Sequence, residues 1–370
     1  MKDIFGSKGK PIGAILASLF AFFAIMGSLG GGNMFQGNQT FAIFSDVIFE
    51  QTIEHKPELI SRIDAGDTAA KAELAQAEQE AFKTKSNLKK KYAWVGGLIM
   101  TILVGLVILG GIKRIGTVTS KLVPAMCIFY VGVCITILIT NASEIPAMIG
   151  SIFQGAFNAR AVGWGGIMGV LVIGVKRGAF SNEAGLGSAS IAHSAAKTDE
   201  PVREGLVAML GPFIDTIVVC TMTALAILIT GAGKLGSTGN FSNEGVGITA
   251  SAFNSLSPIL TYMLAIAVFV FAYSTMISWS YYGERASEYL FGHKGIKTYR
   301  VIFLLFVFLS PMISLENVIG FTDLLILSMA YPNILGMIFL SGKVAERAKD
   351  YRQRLKNGQI KPIIQQSKQQ

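Results

Sequence analysis

Three polar clusters interrupt otherwise apolar stretches of this sequence, and polar groups in such settings are costly unless they serve a site. The first is Gly30-Gly31-Gly32-Asn33-Met34-Phe35-Gln36-Gly37-Asn38-Gln39-Thr40. Its glycines let backbone and ligand approach closely. Its amides could hold a zwitterionic amino acid without burying a charge of their own, or could join neighbouring helices by hydrogen bonds. The second is Gly178-Ala179-Phe180-Ser181-Asn182-Glu183-Ala184-Gly185-Leu186-Gly187-Ser188. Glycines and one carboxylate inside an apolar stretch predict a discontinuous helix, whose loose N–H groups suit a carboxylate and whose loose C=O groups suit a cation. Ser181, Asn182, Glu183, Gly185 and Gly187 are the break and coupling candidates. Glu183 either ligates a cation or ties the break together by hydrogen bonds, and the tie is favoured. Phe180 either covers a small substrate or simply packs.

The third cluster is Tyr273-Ser274-Thr275-Met276-Ile277-Ser278-Trp279-Ser280-Tyr281-Tyr282-Gly283-Glu284-Arg285. Thr275 and Trp279 are four apart and share one helix face. Hydroxyls are hard oxygen ligands, so Thr275 and Ser278 are candidates for a sodium ion. The plainer alternative is an interfacial aromatic belt with hydroxyls bonded back to their own helix, which suits Tyr281 and Tyr282 better than Thr275.

Enzymatic readings fare poorly. Ser188, Ser190 and His193 lie close together in sequence, but no GxSxG accompanies them. There is no HExxH, no Walker loop and no dinucleotide fingerprint. Cys127, Cys134 and Cys220 sit in apolar runs without a CxxC pair, and His55, His193 and His293 lack metal-ligand spacing. No catalytic residue and no cofactor other than a coupling ion is expected.

These clusters need apolar helices to position them. Of 370 residues, 51% are hydrophobic and only 15% charged, and the mean hydropathy is +0.52. Stretches long enough to cross a bilayer recur. Eight are expected, at 11–49, 94–112, 122–140, 163–196, 205–229, 258–290, 299–313 and 318–340. The chain is therefore read as an all-α polytopic membrane protein. The net charge of +9 does not call for nucleic acid. With the N-terminus in the cytoplasm and sides alternating, the cytoplasmic segments hold about twice as many basic residues as the outer ones. The C-terminus then returns to the cytoplasm. Four regions follow: an N-terminal helix at 1–49, an extracytoplasmic helical insert at 50–92 rich in Ala, Glu, Gln and Lys, the remaining core at 93–342, and a basic cytoplasmic tail at 343–370.

The run from Gly174 through Lys176-Arg177-Gly178-Ala179-Phe180-Ser181-Asn182-Glu183-Ala184-Gly185-Leu186-Gly187-Ser188, continuing through Ile191, His193, Thr198-Asp199 and Pro201 to Gly205, resembles the signature of the alanine or glycine:cation symporters. Segments 32–36, 110–116 and 213–216 resemble further stretches of that family, and the likeness covers most of the chain outside the insert and tail.

The resemblance implies a leucine-transporter-type inverted-repeat fold with a central site near the bilayer midplane. The present stretches would correspond to core helices three to ten, with the first two core helices lacking. It implies substrate contacts at Gly31, Gln36, Phe180, Thr275 and Trp279, sodium as coupling ion, and a small neutral amino acid such as alanine or glycine as the solute carried into the cell across the cell (inner) membrane. A non-transporting fragment with a sensor or scaffold role, or none, is the alternative. Ser190 stands where the family often has proline, and the insert is longer than the family's loop.

Overall fold

The computed structural model describes residues 6–49, 68–156, 166–232 and 245–360. All regular structure among them is helical. Among the described residues, seven helices are long and apolar enough to cross a membrane. The stretch expected at 163–196 is not among these seven. Its described part divides into Gly166–Asn182 and the six-residue Ser188–His193, separated by the break that its glycines predict.

The chain opens with α1, Gly6–Leu29, a π-helical segment at Gly30–Met34, and α2, Phe35–Ile48. Both junction residues, Leu29 and Phe35, keep right-handed helical angles, so the helix continues through the segment. Then come α3 (Thr68–Ile108), α4 (Gly111–Thr140), α5 (Ile145–Ala156), α6 (Gly166–Asn182), α7 (Ser188–His193) and α8 (Pro201–Ala208). A second π-helical segment, Phe213–Cys220, leads into α9, Thr221–Ile229. The last four are α10 (Val246–Asn254), α11 (Pro258–Phe291), α12 (His293–Leu309) and α13 (Leu315–Lys356).

Two elements run further than the sequence suggests. No glycine or proline separates the helix formers of the insert from the apolar residues after Tyr92, and α3 is accordingly one helix of 41 residues. The remainder of the insert, 50–67, lies outside the described residues. Likewise α13 continues past residue 340 to Lys356, into the charged tail.

Helix α11 is the hub. Leu264 and Ala265 pack with Ile43, Ile137, Ala226 and Phe253 near its start. Ala272 and Met276 pack with Leu29, Val104, Phe303 and Val307 at mid-length. Trp279 and Ala286 pack with Ala24, Leu186, Ile326 and Met329 further on. Lipid tails are as apolar as leucine, so such contacts gain little from leaving water and depend on close fit. Polar ties add to them. Ser28 and Tyr299 share a buried 2.8 Å hydrogen bond, and the Asn33 amide donates to the Phe303 carbonyl at 2.7 Å.

Candidate functional site

The glycines at 30–32 form the floor of the site. Their segment is π-helical and every residue in it is buried. π-Helical turns inside α-helices tend to mark functional positions. A β-carbon on Gly32 would overlap the Trp279 side chain, and one on Gly31 would meet Ile326, Thr322 and the ring of Phe180. Gly30 lies against Thr322 in the same way. Helices α11, α13 and α6 thus converge on three residues that have no side chain to keep them away.

Gln36 reaches back along its own helix and donates to the Gly31 carbonyl at 3.1 Å. The other amides of that cluster are structural. Asn38 donates to the carbonyls of Ser310 and Ile313, at 3.3 and 2.7 Å. Gln39 accepts from the Val246 N–H at 2.8 Å, holding the start of α10.

The break after α6 is a tight left-handed turn. Glu183, Gly185 and Gly187 have φ of 56°, 82° and 98°. Such angles are easy for glycine and strained for glutamate. Glu183 is held there by its side chain, which accepts from the Trp279 indole at 2.9 Å and the Ser188 hydroxyl at 2.5 Å. This is the tie across the break. Asn182 folds back to accept from the Ala184 N–H, and Asn333 on α13 donates to the Gly185 carbonyl, both at 2.9 Å. Ser181 donates to Asp215 at 2.5 Å, and Asn182 donates to Thr216 at 3.1 Å, fastening the end of α6 to the second π-helical segment.

Phe180 thus lies against Gly31 and Trp279 against the adjacent Gly32, with Gln36 one hydrogen bond from Gly31. Phe180 also stacks edge-on against Phe35, ring centres 5.5 Å apart, beneath the Arg177 guanidinium. Thr275 lies one turn before Trp279 on α11. Thr275 and Ser278 are half-buried, and their hydroxyls have no hydrogen-bond partner among the described residues. Neighbouring Ser274 and Ser280, by contrast, bond back to the carbonyls of Phe271 and Ile277.

Sequence reasoning missed the contribution of α13. Thr322 and Ile326 flank the glycines, and Thr322 Oγ1 is buried without a partner, as is Asn33 Oδ1. Asp323 pairs with Arg177 and lies 4.0 Å from the Lys176 ammonium. An acid within an apolar helix was the available signal for Asp323. Thr322 and Ile326 carry none, because ordinary helix residues reveal their neighbours only when the helices pack.

Comparison with known proteins decides what this broken helix and glycine floor belong to. Residues 6–366 match the model of the sodium:alanine symporter family. The chain belongs to that family. It is 39% identical over 357 residues to the sodium/alanine symporter AgcS of Methanococcus maripaludis, covering 95% of this chain and 69% of that protein. An uncharacterized transporter of Haemophilus influenzae is 42% identical over 71% of the chain and 58% of its own length. The amino-acid carrier protein AlsT of Bacillus subtilis is 32% identical over 73% of the chain and 57% of its own length. The chain thus spans about seven-tenths of the first relative and less than three-fifths of the other two. Sodium:alanine symporter family members are transporters, so the expectation of a carrier rather than an enzyme holds.

Proposed function

We propose that this chain acts in sodium-coupled symport of a small neutral amino acid, alanine or glycine, across the cell membrane. The observation that carries the reading is the meeting of Phe180 and Trp279 with the bare backbone of Gly31 and Gly32. Two aromatic side chains packed closely over bare glycine backbone favour a solute with a small side chain and oppose a larger one. Gln36 and Thr275 supply neutral polar atoms for the amino and carboxylate groups, so the site holds a zwitterion without burying a net charge. The unpartnered hydroxyls of Thr275 and Ser278 are the sodium ligands of this proposal. The names of the relatives support both the amino acid and the ion.

The architecture proposed is the leucine-transporter-type inverted repeat, with both termini cytoplasmic, the 50–92 insert outside and the 343–370 tail inside. Sodium favours the arrangement in which Thr275, Ser278 and Trp279 face the substrate, and substrate binding then biases the two-sided equilibrium of the helix bundles. The carboxylate of Glu183 couples the two, because it holds the indole of Trp279 and the hydroxyl of Ser188 at once.

Labelled alanine uptake into proteoliposomes carrying this exact chain, with and without an inward sodium gradient, tests the proposal. Sodium-dependent accumulation competed by unlabelled alanine or glycine is the expected result. No uptake from folded, inserted protein would reject transport by this chain and favour the non-transporting reading.

A further inference from the structure

Away from the glycine floor, a cavity of about 340 Å3 opens between α2, α3 and the turn that begins α13. One wall is cationic. Ser86, Lys89 and Lys90 line it together with Ser314 at the N-terminus of α13, where no side chain caps the helix. The other wall is apolar, with Phe41, Met312 and Leu315. Asn38 fixes the turn between them through its bonds to the Ser310 and Ile313 carbonyls. Lys89 is held in place by the buried carboxylate of Asp46, at 2.7 Å. Lys90 is exposed and has no carboxylate within ion-pair reach among the described residues.

The position of this cavity along α3 suggests its occupant. Residues 86, 89, 90 and 93 share the face that lines the cavity. Lys90 is also one turn before Trp94, which starts an exposed stripe through Leu98, Ile102 and Leu106. That stripe is the surface such a helix gives to lipid. Tyr92 and Trp94 are both exposed beside the lysines, as aromatic residues are at the headgroup level. From Tyr92 to Ile108 the helix rises about 25 Å, close to the thickness of a hydrocarbon core. The cavity mouth therefore lies where headgroups lie, its cationic wall at that level and its apolar wall beside it.

We propose that this cavity binds the phosphate headgroup of an anionic phospholipid, seated between Lys89, Lys90 and the first turn of α13, with the glycerol and upper acyl chain against the apolar wall. A soluble anion would use the lysines but not the apolar wall. A zwitterionic lipid would use the wall but bring its own cation to the lysines.

The test is native mass spectrometry of the full chain in detergent, titrated with phosphatidylglycerol, with phosphatidylcholine and with glycerol 3-phosphate. Expected is one phosphatidylglycerol bound more tightly than phosphatidylcholine, and not displaced by equimolar glycerol 3-phosphate. Lys90→Gln, an exposed position that leaves the Asp46 pair intact, should weaken phosphatidylglycerol by at least about fivefold. Lys91→Gln, beside it but outside the cavity lining, should change binding by less than about twofold. Equal loss in both variants would mean a diffuse surface charge and overturn the site. Equal affinity for the two lipids, or ready displacement by glycerol 3-phosphate, would overturn the lipid headgroup as occupant. None of these readouts depends on transport.

Discussion

The glycine segment at 30–34 and the break at 183–187 are built from similar residues and do opposite things to their helices. Around Gly30–Gly32 the chain stays helical and only widens by one residue per turn. Around Gly185 and Gly187 it leaves the helix altogether, through three left-handed residues. The neighbours account for the difference. A side chain at Gly31 or Gly32 would strike Trp279, Ile326, Thr322 or Phe180, whereas one at Gly185 would meet nothing within 4 Å. The first set of glycines exists for close approach; in the second, Gly185 serves backbone angle alone, while Gly187 combines a left-handed angle with the close approach of Phe20 and Asn333. The two are joined by a single side chain, since Trp279 covers Gly32 and donates to Glu183.

That joint is the first thing to break. Trp279→Ala removes the cover of the floor and a donor from the Glu183 carboxylate together. A loss of about 3 kcal/mol or more is expected from the cavity and the uncompensated group, with uptake abolished in proteoliposomes and membrane insertion retained. Gln36→Ala should likewise abolish uptake, and normal uptake by both variants would sink the site assignment. Next in size is Gly32→Ala, an overpacking change expected to cost about 1–3 kcal/mol in thermal unfolding. The two are coupled. In the Trp279→Ala background the methyl group at position 32 has the space it lacks otherwise, so its cost should nearly vanish. Additive effects would mean that the floor and the indole do not define one another.

Gly185→Ala probes the other region. The methyl group has space, so its cost is the left-handed angle alone, about 1–2 kcal/mol. Gly185→Asn, which tolerates that angle better, should recover part of the stability, and no such recovery is expected at Gly32, where the larger side chain makes matters worse. If asparagine rescued position 32 and not 185, the two uses of glycine would have been assigned the wrong way round.

Both regions were visible in the sequence as polar, glycine-rich interruptions of apolar runs, with Phe180 and Glu183 standing out in the second and Trp279 in the third cluster. That the second interruption would open was legible from its glycines and carboxylate, but what the glycines of the first were for was not, because close approach shows only once it is known what lies opposite. The same limit hid Thr322 and Ile326, whose role comes from the approach of α13. The division of labour among the amides was hidden for a related reason. Gln36 bonds within its own helix, while Asn33, Asn38 and Gln39 reach residues more than 200 positions away. Recurring long apolar stretches, by contrast, pointed directly to the helical class, while the continuity of α3 from the insert into the apolar stretch was not expected.

The smallest expected effect separates the two regions by pH. The floor is held by packing, but the chain beyond the break is fastened to the end of α13 by an ion pair. Glu200 accepts from two Arg354 nitrogens at 2.7 and 3.0 Å. The hydrogen bonds from Arg354 hold the Glu200 carboxyl below its ordinary value of 4.5. A carboxyl depressed on folding stabilises the folded form above about pH 4.5 and loses that contribution as pH falls through its lower folded value. Hydrogen exchange across 194–204 should therefore accelerate as pH drops below 4.5, once the intrinsic exchange rate is divided out. Exchange across 30–34 should not respond. In Glu200→Gln the first segment should exchange faster at neutral pH and lose its extra acceleration in acid. Parallel acceleration of both segments would show that the break and the floor open as one cooperative unit, and that the contrast between a packed region and a tethered one does not extend to their stability.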